Sequence, residues 1–200
     1  MFRWVTITFV LLLGLVPVVT PVLAADQTLQ QRGIEKPEEY LSPQFDNQVV
    51  WTADWEVDAE NLDSDSAQMI DTLSLHYKNQ ATFQVRFIEA GGESPEAYAE
   101  RLVRYRNVVD DAAEVVLDEG QEDGYVLLYT FEVNGEPVYS VIEIRLVNRN
   151  QTLQVTELVV YPDVATQVFR RVQRDIVVDG SKPFQYFKAF PAEEFMDAAA

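Results

Sequence analysis

The chain has 200 residues with 15 Lys and Arg, 33 Asp and Glu, one His and no Cys, for a net charge of −18. That balance argues against nucleic acid, whose phosphates call for clustered Lys and Arg, and against docking on anionic lipid. The missing Cys excludes disulfides, thiol catalysis, Cys-ligated zinc and a lipid-modified Cys, and the single His76 excludes multi-His metal sites. A chain of this length fits one domain and buries enough apolar surface to fold without staples.

Residues 1–24 read as a secretory signal peptide. Arg3 is the positive start, Trp4 to Leu15 is an apolar run, and Val22-Leu23-Ala24 offers small residues at a cut after Ala24. Cleavage there would leave a chain one unit more negative, since Arg3 is the only charge removed. The alternative is an uncleaved anchor over Trp4–Ala25, which is long enough to span a bilayer. Either way the folded part is expected outside the cytoplasm, secreted or periplasmic. Residues 25–39 read as a flexible lead-in, residues 40–190 as a single domain, and 191–200 as a frayed tail.

The elements follow in order. Gln48–Trp51 and Trp55–Val57 read as short strands, and Asp58 to Ser66 as an acidic loop. Met69–Tyr77 and Ala81–Glu89 alternate with period two, apolar on one side and mostly polar on the other. His76 falls on the polar side with Thr72 and Ser74. Ser94-Pro95-Glu96 starts a helix, with Ser as N-cap and Pro in the first turn. Its apolar stripe is Tyr98, Leu102, Tyr105 and Val109, and it is expected to stop near Asp110-Asp111.

Ala113–Leu117 reads as a strand and Asp118–Gly124 as a loop. Tyr125–Val133 and Val138–Val147 flank Asn134-Gly135, the strongest hairpin signal in the chain. Thr152–Tyr161 returns as a strand. Pro162-Asp163 opens a second helix with a stripe of Val164, Val168, Val172 and Ile176, and Phe169 beside it. Arg170, Arg171 and Arg174 fall on its wet face. Phe184–Phe190 is expected to pack back as an extended arm. The order is β-β-β-β-α-β-β-β-β-α, which predicts an α+β fold with helices on a single antiparallel sheet.

No constellation demands catalysis. Asp58, Glu60, Asp63 and Asp65 could offer oxygen ligands to calcium, but the EF-hand spacing fails at Gln68 and Ser74. Asp118–Gly124 has the same two readings, calcium site or solvated loop. His76 lacks a sequence-specified Ser or Asp partner and reads as a half-exposed strand residue. Trp51 and Trp55 read as core anchors rather than a sugar or peptide site. Tyr125, Tyr129 and Tyr139 rim a sheet face that either binds a partner or lies under a helix. Asn150-Gln151-Thr152 is a formal glycosylation sequon. Lysine is scarce, with only Lys36, Lys78, Lys182 and Lys188. No catalytic, cofactor or metal residue is assigned.

Tyr40-x-Ser42-Pro43-x-Phe45, Val50-Trp51-x-x-x-Trp55-x-Val57, Asp71-x-Leu73-x-Leu75 and Ser94-Pro95-Glu96-Ala97-Tyr98 together resemble the Mog1/PsbP-like superfamily. They are most similar to exported PsbP-like proteins of bacteria, over roughly residues 40–180. The resemblance implies an antiparallel sheet sandwiched between helices (α/β/α) and a binding or accessory role without a catalytic motif or cofactor. The resulting expectation is an exported non-enzymatic binding domain with a protein or small-ligand partner. The alternative is a small extracytoplasmic hydrolase or ligand carrier with a pocket between sheet and helices.

Overall fold

The computed structural model describes residues 33–36, 38–109, 113–149 and 151–191. The signal segment 1–24, most of the lead-in, Asp110-Asp111, Asn150 and residues 192–200 of the tail lie outside the described residues.

Among them are twelve strands and two α-helices. The strands are β1 (Ile34–Lys36), β2 (Glu39–Leu41), β3 (Gln48–Trp51), β4 (Glu56–Val57), β5 (Asp63–Asp65), β6 (Ile70–Tyr77), β7 (Ala81–Glu89), β8 (Glu114–Gln121), β9 (Gly124–Val133), β10 (Glu136–Val147), β11 (Thr152–Val160) and β12 (Ile176–Val178). Helix α1 (Pro95–Val109) links β7 to β8, and a 3-10 turn leads into α2 (Ala165–Asp175). No helix among the described residues is long and apolar enough to cross a membrane.

The large sheet has the order β4-β6-β7-β11-β10-β9-β8, with β5 also paired to β6, and every neighbour is antiparallel. Its alternation is as expected: Leu73 pairs with Val85 and Leu75 with Phe83, while Ser74 faces Gln84 and His76 faces Thr82. Asn134 and Gly135 both take positive φ, 56° and 80°, which is what a two-residue hairpin turn requires.

One sheet was expected, and there are two. β1, β2, β3 and β12 form a second, four-stranded sheet in the order β1-β2-β3-β12. Ile176 ends the stripe of the second helix in sequence, but it opens β12 and pairs with Trp51. The reason is local: Ile176-Val177-Val178 is β-branched throughout, and inward-facing Ile176 and Val178 match Val49 and Trp51 on β3. Within the stretch read as a lead-in, Ile34–Lys36 forms β1 and pairs with β2 at the start of the domain. The loops shorten too. β5 forms inside the acidic stretch, where Leu62 is fully buried, and β8 runs on through Asp118–Gln121.

The helix–sheet–helix sandwich holds in part, since each face of the large sheet carries one helix, and one face carries the small sheet as well. On one side of the large sheet, Leu73, Phe83, Val85, Leu128, Val141 and Leu158 share a core with the small sheet, α2 and the aromatic arm. On the other side, Tyr98 and Ala99 of α1 cover Leu127, Tyr129, Ile142, Ile144, Leu153 and Val155. The β6–β7 part of that second face carries Thr72, Ser74, His76, Gln84 and Arg86. Tyr105, expected in the buried stripe of α1, is 66% exposed. The buried arc is centred among Tyr98, Ala99, Leu102 and Val103, so at 100° per residue Tyr105 lies about 90° off its centre.

Candidate functional site

Helix α2 buries Ala165, Val168, Phe169 and Val172, spaced i, i+3, i+4 and i+7. That spacing turns Thr166, Arg170, Gln173 and Arg174 outward. After β12 the chain turns at Gly180 and runs back beside the helix as the arm, residues 181–190. Two devices seat it. The Gln173 amide donates to the Phe184 carbonyl at 2.7 Å and accepts from the Phe184 N–H at 3.2 Å. The buried Glu143 carboxylate accepts the N–H groups of Gln185 and Tyr186 at 2.8 Å and Phe187 at 3.0 Å. Burial lowers the guanidinium of Arg145 from its ordinary value; Glu143, 3.4 Å away, opposes that shift.

Aromatic packing completes the seat. Phe169 meets Phe187 edge-on at 5.2 Å and Phe184 at 5.5 Å, and Phe190 stacks on Tyr139 at 5.4 Å. Gly124 allows the arm to approach, because a Cβ there would sit 2.7 Å from the Tyr186 ring.

Between α2 and the arm lies a groove of about 730 Å³. Arg170 and Arg174 line one wall, Lys182 and Lys188 the other, with Phe169, Phe184, Phe187 and Phe190 between. Among the described residues that line it there is no carboxylate. Arg174 is held by Asp175 at 2.6 and 3.0 Å, and the Lys188 ammonium donates to the Gln185 carbonyl. Arg170 and Lys182 are exposed, and no ion pair engages them among the described residues. The groove can therefore take an anionic ligand with an apolar part.

Sequence reasoning placed the arginines on a wet helix face and the Phe cluster in a returning arm, but did not join them. The available signal was that two of only four lysines fall inside the Phe-rich arm.

The other candidates resolve individually. His76 is half-exposed, at 44%, and it has partners the sequence did not reveal. Nε2 lies 3.0 Å from Asp58 Oδ2, and Nδ1 lies 3.1 Å from Thr82 Oγ1. It borders a hollow of about 450 Å³ shared with Glu56, Thr82, Val138, Val159 and Tyr161. Burial alone would push Asp58 up. The Asn61 amide, the Glu60 N–H and His76 outweigh it and hold the carboxyl below its ordinary range.

In the acidic stretch, Asp63 accepts the Ser64 N–H and Asp65 accepts those of Ala67 and Gln68. These carboxylates cap their own turns, and no group of three metal-ligating side chains occurs among the described residues. Asp118 accepts the Tyr125 hydroxyl at 2.6 Å; that bond, with burial, pushes the phenol up to about 12. Trp51 and Trp55 are buried, with Trp55 5.2 Å from Tyr77. Tyr129 and Tyr139 are buried, so of the three tyrosines only Tyr125 reaches the rim.

No family model matches the chain, and no curated protein matches it. Among solved structures it is similar to a protein from Bacteroides thetaiotaomicron (13% identity, TM-score 0.41, covering 77% of this chain and 51% of that one). It is also similar to Mog1p, a Ran-binding protein of Saccharomyces cerevisiae (10% identity, TM-score 0.43, covering 70% of this chain and 93% of that one). The chain spans about half the length of the Bacteroides protein. Both likenesses are distant, and neither carries a role for this chain.

Proposed function

We propose that the chain is an exported, non-enzymatic binding domain that engages its partner at the groove between α2 and the arm. The observation that carries this is the segregation of charge. A chain of net −18 collects Arg170, Arg174, Lys182 and Lys188 around an apolar floor, and none of the described residues lining it is a carboxylate. Asp175 already compensates Arg174, and the remaining cations leave a positive surface whose field a counter-charge on a partner would complete. The export part rests on Arg3, the Trp4–Leu15 run and Val22-Leu23-Ala24.

The test is site-specific cross-linking from position 166 in the exported fraction of the host. A discrete adduct that is lost in the Arg170→Glu/Lys182→Glu variant is expected. Equal adducts from the wild type and that variant would remove the groove from the reading.

A second reading, a hydrolytic site, is favoured by the line Asp58–His76–Thr82, in which an imidazole stands between a carboxylate and a hydroxyl. It predicts ester hydrolysis that disappears in His76→Ala and in Thr82→Ala alike. Activity that survives both substitutions would exclude it.

A further inference from the structure

We infer that the groove takes an acidic, extended peptide segment in which carboxylates alternate with an aromatic or aliphatic side chain. This rests on the binding reading above and narrows it to one chemistry.

The spacing comes first. Arg170 and Arg174 are one helical turn apart, about 6 Å along the axis. Side chains at i and i+2 of an extended chain lie about 6.6 Å apart on one side. A Glu-x-Glu segment laid along α2 therefore presents its carboxylates at the spacing of the two guanidiniums, Arg170 unpaired among the described residues and Arg174 shared with Asp175. The x residue points to the opposite side, across the groove toward the Phe184, Phe187 and Phe190 side chains of the arm. Lys182, on the facing wall, supplies a cation from the opposite side.

Commitment of the cations comes second. Arg174 and Lys188 are already tethered, to Asp175 and to the Gln185 carbonyl. Arg170 and Lys182 carry no ion pair among the described residues, so a ligand meets two cations that need not first break a contact.

The shape of the field comes third. The rest of the chain is strongly acidic, and an anionic bilayer or a nucleic acid presents its charge over a wide surface, much of it facing that acidity. A short segment feels chiefly the groove, since salt screens charges beyond about 8 Å at physiological ionic strength. A small inorganic anion would satisfy the cations but leave the aromatic floor unused.

The test is calorimetric titration with an end-blocked Glu-Phe-Glu-Phe-Glu peptide, beside its Gln-Phe-Gln-Phe-Gln and Glu-Gly-Glu-Gly-Glu counterparts. Amide shifts are followed by NMR over 166–174 and 184–190. The acidic aromatic peptide is expected to bind at least about tenfold more tightly than either counterpart. Binding should weaken from about 20 mM to about 200 mM salt. Arg170→Glu/Lys182→Glu should lose about tenfold or more, and Arg170→Gln/Lys182→Gln an intermediate amount, with circular dichroism unchanged.

Equal affinity for the Gln peptide overturns the inference, as does binding that is indifferent to both double variants. Binding to phosphatidylglycerol vesicles without peptide binding overturns it as well. If the Gln peptide shifts the groove amides equally, the binding reading survives and the acidic class falls. If no probe shifts them and no cross-link forms from position 166, both fall.

Discussion

The Oε2 atom of Glu143 accepts the backbone N–H of Tyr186 at 2.8 Å across a separation of 43 residues. The same carboxylate also accepts the N–H groups of Gln185 and Phe187, so one buried side chain fixes the path of the arm. Glu143→Ala leaves those amides without acceptors and leaves Arg145 without its neighbour. Breaking a buried charged network of this kind costs about 3–5 kcal/mol. Thermal denaturation should show that loss, and hydrogen exchange should accelerate first at 185–187. Unchanged protection there would mean that the aromatic packing alone seats the arm.

Asp71 does the same for the chain entering the domain. Fully buried, it accepts the Ser42 hydroxyl, the Gln44 N–H at 2.8 Å, the Gln44 side-chain amide at 2.6 Å and the Ser64 hydroxyl at 2.6 Å. Asp71→Asn turns one acceptor oxygen into a donor facing donors. A loss of about 2–3 kcal/mol in urea unfolding is expected, and a loss no larger than that of Ser42→Ala would contradict it.

Asp58 gives the acid dependence. Its folded pKa lies below its ordinary value, so its contribution is present above the unfolded pKa and is lost as pH falls through the folded one. The stability gap between wild type and Asp58→Asn should be widest near neutrality and close as pH falls below the ordinary aspartate range. A gap that stays constant from neutral pH downward would show that these contacts do not depend on charge.

Phe169 touches Phe184, Phe187 and Phe190 from the inner side of α2. Phe169→Ala should cost about 3–5 kcal/mol and loosen the groove. Ser94→Ala, which removes the hydroxyl accepting the Ala97 N–H at 3.1 Å, should cost about 1 kcal/mol and leave the groove unaltered. Comparing the two separates stability from binding.

What the sequence made legible was whatever period and capping encode. β7 was read at its observed limits, and α1 began after the Ser94 cap. The small sheet was hidden because the partners of β3 are short strands at opposite ends of the domain, and three residues carry too little periodicity to be matched. Partners set by tertiary pairing were hidden for the same reason. Asp58 meets His76 because β4 pairs with β6, placing Glu56 opposite His76. The groove was half legible: composition marked the lysines and phenylalanines of the arm, but only the folded chain sets them opposite Arg170.

The pairing of β3 with β12 has a kinetic consequence. Asn47 bonds to Asp179 across 132 positions, so the small sheet closes only when nearly the whole domain is available. Contacts of such long sequence separation demand loop closure before they stabilise anything, which slows folding. A nascent chain lacking its last strand would leave Tyr40, Val49 and Trp51 without their cover. Refolding of a chain truncated before Ile176 should stall with Tyr40 and Trp51 solvent-accessible, as tryptophan quenching would report. The architecture thus ties completion of the native state to the arrival of the very segment that builds the groove.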